Sequence, residues 1–223
     1  FTFLMPAAER IYLPHDFRTV YEQEKRYYEE GKSEYPMTQA GEVDCEKLAE
    51  EANRYLGGNY QVFAKRDAAY YQRLLKEYAS DGGALMIGRK DGEITDCRVF
   101  MPDGAEKEKP KIMVRIVDVR RMLMVLKVKS LAAVCFHITD PVIEENNRCI
   151  VLMGTEFSGV MLMDGKPENS EGTVTIAALA SFLFGAKNAE EICEEEGVFL
   201  SERMKEEMRK IIPLSKIYLN ETV

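Results

Sequence analysis

The apolar positions of residues 110–223 repeat with two different periods. Runs at 111–117, 149–153 and 160–163 are short and apolar, and 131–139 alternates, with Val134, Phe136 and Ile138 on one face and Cys135, His137 and Thr139 on the other. Later segments repeat their apolar residues every three or four positions instead. A period of two predicts strands and a period near 3.6 predicts helices, so this half of the chain reads as strands followed by helices. Asp118 stands as the cap of a helix through Met122, Val125 and Leu126, Thr175 as the cap of Ile176, Leu179, Ala180 and Leu183 with Gly185 as the stop, and Ser201 as the cap of Met204, Met208, Ile211 and Ile212, stopped by Pro213. A short helix is expected over 189–194, an edge strand over 173–175 and a polar hairpin tip at Glu144-Glu145-Asn146-Asn147. Strands first and helices after predict an open α+β sandwich, with helices on one face of the sheet, rather than a doubly wound fold.

The first half is patterned differently. Residues 1–5 read as a strand, Pro6 suits the first position of a short helix ending near Tyr12, and 17–28 permits strand or helix, strand being preferred. Helical spacing recurs over 42–56, where Gly57-Gly58 reads as the stop, and again after Asp67, where Tyr71, Leu74, Leu75 and Tyr78 share a face closed by Asp81-Gly82-Gly83. The strongest hairpin signal is Lys90-Asp91-Gly92 between 84–89 and 93–100. This part predicts a small α/β layer, separated by a polar linker at 104–110 from a unit at 111–223.

Composition narrows the classes. The 223 residues are 46% hydrophobic with a formal net charge of -8, which suits a folded core and repels a phosphate backbone, so nucleic acid is not expected as a partner. Five scattered cysteines without a Cys-x-x-Cys pair predict buried thiols in a reducing, cytoplasmic setting and no metal site. No apolar run approaches the ~20 residues of a membrane span. His137, on an alternating strand, reads as a sheet residue. The twelve methionines, six of them at Met113, Met122, Met124, Met153, Met161 and Met163, fit either an adaptable apolar pocket or an ordinary core. Residues 54–59 approach the Arg-x-x-Gly-x-Gly/Ala loop that cradles an acyl-CoA pyrophosphate, but fail at Asn59 and follow a helix instead of a strand.

Several stretches together resemble one family. They are Phe1-Thr2-Phe3-Leu4-Met5-Pro6-Ala7-Ala8-Glu9-Arg10-Ile11-Tyr12, Arg66-Asp67-Ala68-Ala69-Tyr70-Tyr71, Thr139-Asp140-Pro141-Val142-Ile143-Glu144-Glu145-Asn146-Asn147, Leu183-Phe184-Gly185 and Tyr218-Leu219-Asn220-Glu221-Thr222-Val223. The chain is similar to the C-terminal portion of Eis-like (enhanced intracellular survival) GNAT acetyltransferases. The resemblance implies the end of a first GNAT domain at 1–17, a second GNAT-like domain at 18–103, the linker, and a sterol-carrier-protein-like domain at 111–223. It implies acetyl transfer from acetyl-CoA to a primary amine, with the acetyl-CoA loop outside this chain, so that the chain alone binds no cofactor and is inactive. Because Phe1 is not an initiator Met and opens a strand, a preceding segment is expected.

The resemblance also implies two functional groups. Tyr12 stands where such enzymes keep the phenol that protonates the departing thiolate, a role open to a group neutral at pH 7; packing at a helix end is the alternative. His15-Asp16 replace the aromatic residue and glycine of the family's corner, which puts the corner geometry in question. The α-carboxylate of Val223 is the second group, a base for the acceptor amine, the alternative being a tail that only closes the core. Tyr218, Leu219 and Val223 are expected to be anchored. Competing functions for the C-terminal unit are a carrier of an apolar ligand or lipid and a module that builds a homo-oligomer.

Overall fold

The computed structural model describes residues 1–23, 25–104 and 109–220. The chain folds as two compact units, one made of Phe1–Tyr21 with Lys111–Ser215, the other of Glu22–Pro110 with residues 216–220.

In chain order, the first unit opens with β1 (Thr2–Leu4), α1 (Glu9–Tyr12) and β2 (Arg18–Glu22). The second unit follows with β3 (Met37–Gln39), α2 (Cys45–Asn59), β4 (Val62–Phe63), α3 (Ala68–Ser80), β5 (Ala84–Lys90) and β6 (Glu93–Phe100). The chain returns to the first unit as β7 (Lys111–Arg115), α4 (Val119–Met124), β8 (Lys127–Val128), β9 (Ala132–Thr139), β10 (Arg148–Thr155) and β11 (Gly159–Asp164). It continues there through β12 (Gly172–Thr175), α5 (Ile176–Leu183), α6 (Ala189–Ile192), β13 (Phe199–Leu200), α7 (Glu202–Met208) and β14 (Ile211–Ile212), and β15 (Ile217–Tyr218) goes back to the second unit.

The first unit is a mixed α+β fold. Its five-stranded sheet runs β11-β10-β9-β12-β13, with β12 parallel to β9 and the other pairs antiparallel; a second sheet is β1-β7-β2. Val134, Phe136 and Ile138 on β9, Ile150 and Leu152 on β10 and every residue of α5 are buried, as the patterning required. The opposite face is also covered near Cys135 and Cys149, whose sulfurs lie 3.5 Å apart. There the backbone of Gly165 closes over them, and a Cβ at Gly165 would come within 2.9 Å of both sulfurs. The caps are where the residues placed them: Asp118 accepts from the Arg121 N–H, Thr175 from Ala178 and Ser201 from Met204.

Four expectations fail for local reasons. Residues 173–175 are not an edge, since β12 lies between β9 and the two-residue β13. Ile211 and Ile212 are not the end of α7 but form β14, paired with Val128 and Lys127. Pro213 drives the residue before it out of the helical region, and two β-branched residues suit a strand. Gly57 and Gly58 do not stop α2, which runs to Asn59 and ends on Tyr60 in an extended conformation. Asn146 is no solvated tip, because its turn folds inward and leaves it 3% exposed.

In the second unit β3, β5 and β6 form an antiparallel sheet, the β5–β6 turn being Asp91 and Gly92 with φ of 52° and 84°. Positive φ at both central residues is the turn whose twist matches the flanking strands. Cys45, Leu48 and Ala49 of α2 and Tyr71 of α3 pack with Leu85, Ile87, Ile94 and Val99 of the sheet. Among the described residues no helix is long and apolar enough to cross a membrane.

Candidate active site

Tyr12 ends the single turn of α1, and the chain continues as a 3₁₀ turn, Leu13–His15, in which Pro14 needs no N–H partner. The chain then reverses at Asp16, with φ 61° and ψ 21°. Asp is one of the few non-glycine residues that enter this left-handed region, because its short polar side chain bonds locally. At Asp16 the corner therefore has a left-handed, glycine-like backbone. Across it, the Phe17 N–H donates to the Tyr12 carbonyl at 3.3 Å, and the two rings meet edge to face with centres 5.9 Å apart. Tyr12 is half-buried.

Beneath the corner lies a buried polar network that the patterning did not reveal. Arg115, the last residue of β7, is 4% exposed and uses three nitrogens: Nε donates to the His15 carbonyl at 2.9 Å, Nη1 to the Ile116 carbonyl at 3.0 Å and Nη2 to Asp140 Oδ1 at 2.7 Å. Asp140 also accepts from the N–H groups of Val142 and Ile143, both at 2.9 Å, and from Asn146 Nδ2 at 2.8 Å. Asn146 in turn accepts the Val119 N–H at the head of α4. Burial pushes the Asp140 carboxyl up, but Asn146, the two N–H groups and Arg115 outweigh it and hold the group below the usual carboxylate range. Asp16 behaves oppositely. Burial pushes its carboxyl up against the pull of Arg115 3.9 Å away, and its buried Oδ2 has no hydrogen-bond partner among the described residues.

Val223 lies outside the described residues. The tail leading to it is fixed in the second unit, where β15 runs parallel to β4. The Lys216 carbonyl accepts from the Gln61 and Val62 N–H groups, Gln23 Nε2 donates to the Leu219 carbonyl at 3.1 Å, and Leu219 is buried. The Arg66 guanidinium sits over the rings of Tyr70, Tyr71 and Tyr218 at 4.9, 5.9 and 5.3 Å. Tyr218 and Leu219 are thus anchored, as expected.

Residues 54–59 fit no pyrophosphate. They lie within α2, where amides bond to carbonyls one turn back instead of facing a ligand. Among the described residues no group of three or more His, Cys, Asp or Glu could hold a metal. The first unit also carries a cavity of about 440 Å³ with Phe182, Ala189, Met208 and Ile211 in its wall. Two of the cations at its rim are paired, Arg209 with Glu190 and Lys187 with Glu195, and Lys129 Nζ donates to the Arg209 carbonyl at 3.4 Å; neither Tyr12 nor Arg115 lines it.

No protein-family model matches the sequence, and no curated protein matches it. Solved structures do share the fold. A GCN5-related N-acetyltransferase from Kribbella flavida matches with TM-score 0.70 at 12% identity, over 99% of this chain and 71% of that one. Another from Anabaena variabilis ATCC 29413 matches with TM-score 0.64 at 12% identity, over 99% and 72%. Eis1 from Mycobacterium abscessus matches with TM-score 0.58 at 11% identity, over 99% and 72%. At these identities the likeness is one of fold alone, shared over nearly the whole of this chain.

Proposed function

We propose that this chain is the C-terminal portion of an Eis-like N-acetyltransferase that moves an acetyl group from acetyl-CoA to a primary amine. The observation that carries the reading is Tyr12 at an intact left-handed corner, in a chain whose fold matches N-acetyltransferases over 99% of its length. In this reading residues 1–17 close a first GNAT domain, 18–103 form a second, and 111–223 form a sterol-carrier-like domain. Acetyl-CoA supplies the activated acetyl group and is held by a loop on polypeptide preceding this chain. Tyr12 gives the proton on its Oη to the leaving sulfur as the thioester bond breaks. The α-carboxylate of Val223 attracts a cationic amine and takes a proton from it through water.

The assembly is a cytoplasmic homo-oligomer, and its acidic surface favours a cationic acceptor. The test of the tail is deletion of Thr222 and Val223, and separately addition of one Gly after Val223, in the complete enzyme. Loss of turnover in both, with an unchanged melting temperature, supports the placed carboxylate; full activity in the extended form removes it.

A carrier function is the second reading, favoured by the partly apolar cavity of about 440 Å³. Native mass spectrometry of the purified chain separates the two. A lipid retained at near-unit occupancy supports the carrier.

A further inference from the structure

We propose that Arg115 is the positioning residue for Tyr12. The inference rests on the proton-donor role given to Tyr12 above, but the contacts that carry it are independent of that role. The guanidinium binds two things that must stay in register, the His15 carbonyl inside the corner and the Asp140 carboxylate beneath it. His15 ends the 3₁₀ turn that follows Tyr12, and one residue later Asp16 takes the left-handed conformation that returns Phe17 to the Tyr12 carbonyl and ring. Fixing the His15 carbonyl therefore fixes the peptide plane entering Asp16, and with it the edge-to-face pair that limits where the Tyr12 ring can swing.

The anchor itself is rigid. Asp140 accepts from four donors, and one of these, Asn146, is held by the head of α4. A buried ion pair is a weak source of stability, since apolar residues of the same volume often serve as well. What apolar residues cannot do is hold a carbonyl and a carboxylate at fixed angles from one planar group, which is the particular ability of a guanidinium. The Arg115 network therefore makes geometric sense as a template for the corner.

The test places 3-fluorotyrosine at position 12 of the full chain, with a second preparation labelled at Tyr78 in the second unit as the control. Fluorine NMR is then compared between the parent and Arg115→Lys, which keeps the charge and loses the fork. The expected result is a Tyr12 resonance moved toward that of free 3-fluorotyrosine and narrowed, while the Tyr78 resonance stays in place. An unmoved Tyr12 resonance in folded Arg115→Lys overturns the proposal, and so does an equal shift at both probes, which would mark general loosening. Should Arg115→Lys not fold, Arg115→Gln offers one nitrogen where the guanidinium offers three and is read by the same criteria.

Turnover of the complete enzyme gives the second readout. Misplacement of a reacting group by about 1 Å costs on the order of 10²-fold, so kcat should fall by about that factor in Arg115→Lys with the KM for acetyl-CoA within about twofold. A parent enzyme that acetylates no amine refutes the functional reading and leaves the fluorine result standing, so the two failures are distinguishable.

Discussion

The guanidinium carbon of Arg66 lies 5.3 Å from the centre of the Tyr218 ring, so the end of the chain is clasped by a residue 13 positions after Asn53, which itself holds both the N–H and the carbonyl of Arg66. Tyr60 adds an edge contact to the same ring at 5.1 Å. Desolvated cation–π pairs are worth about 1–2 kcal/mol. Tyr218→Ala is accordingly expected to lower the unfolding free energy of the second unit, read from urea denaturation, by that order and to let carboxypeptidase digest past Leu219. Tyr218→Phe, which keeps the ring, should do neither. Equal protease resistance in parent and Tyr218→Ala would show that β15 pairing alone holds the tail.

The two carboxylates around Arg115 predict opposite responses to pH. Asp140 has a folded pKa below its unfolded value, so its contribution to stability is fully present above the unfolded value near ~3.9 and is lost as pH falls through the folded value. Asp16 has a folded pKa above its unfolded value, so it costs stability as pH rises through the window between the two and is relieved below it. Asp140→Asn should therefore destabilise at pH 7, by up to the ~3–5 kcal/mol of a broken buried pair, and flatten the acid side of the stability curve. Asp16→Asn, which also tolerates the left-handed corner, should raise the melting temperature slightly at pH 7 and have no such benefit near pH 3. Thermal melts from pH 3 to pH 8 decide it. A loss of stability at pH 7 in Asp16→Asn would mean that its charge is needed by Arg115.

Gly165→Ala places a methyl 2.9 Å from the sulfurs of both Cys135 and Cys149. Overpacking of this kind costs about 1–3 kcal/mol. Adding Cys149→Ala should restore part of the loss, because the two changes share one space and are not additive. Chemical denaturation of the single and double variants measures the coupling. Simple additivity would indicate that the loop moves away instead.

Isothermal titration of this chain with acetyl-CoA should give no saturable heat, since residues 54–59 spend their amides inside α2. Saturable micromolar binding would locate a cofactor site within these residues.

What could be read from the residues is what local chemistry determines. Asp67, Asp118, Thr175 and Ser201 each satisfy helix amides three residues on, and Asp91-Gly92 forms its turn, because neither feature depends on distant parts of the chain. Ile211 and Ile212 were misread because their apolar spacing continues that of α7, and only Val128 and Lys127, far away in sequence, supply the partner strand. The interior place of β12 likewise depends on two residues of β13 too short to give a pattern. At the site, Tyr12 came from a family resemblance rather than from periodicity. Arg115 was missed, although a signal existed: a charge inside the apolar stretch Ile112-Met113-Val114-Arg115-Ile116, whose other members are buried, requires a buried partner.

The most direct test of the account is the turnover of the complete enzyme with acetyl-CoA and a primary amine, Tyr12 against Tyr12→Phe. The substitution removes the Oη proton and keeps the ring that packs on Phe17. The account predicts a kcat lower by ~10²–10⁴-fold, with the KM for acetyl-CoA nearly unchanged and the melting temperature within a degree or so of the parent. An unchanged kcat would contradict it and leave Tyr12 a packing residue.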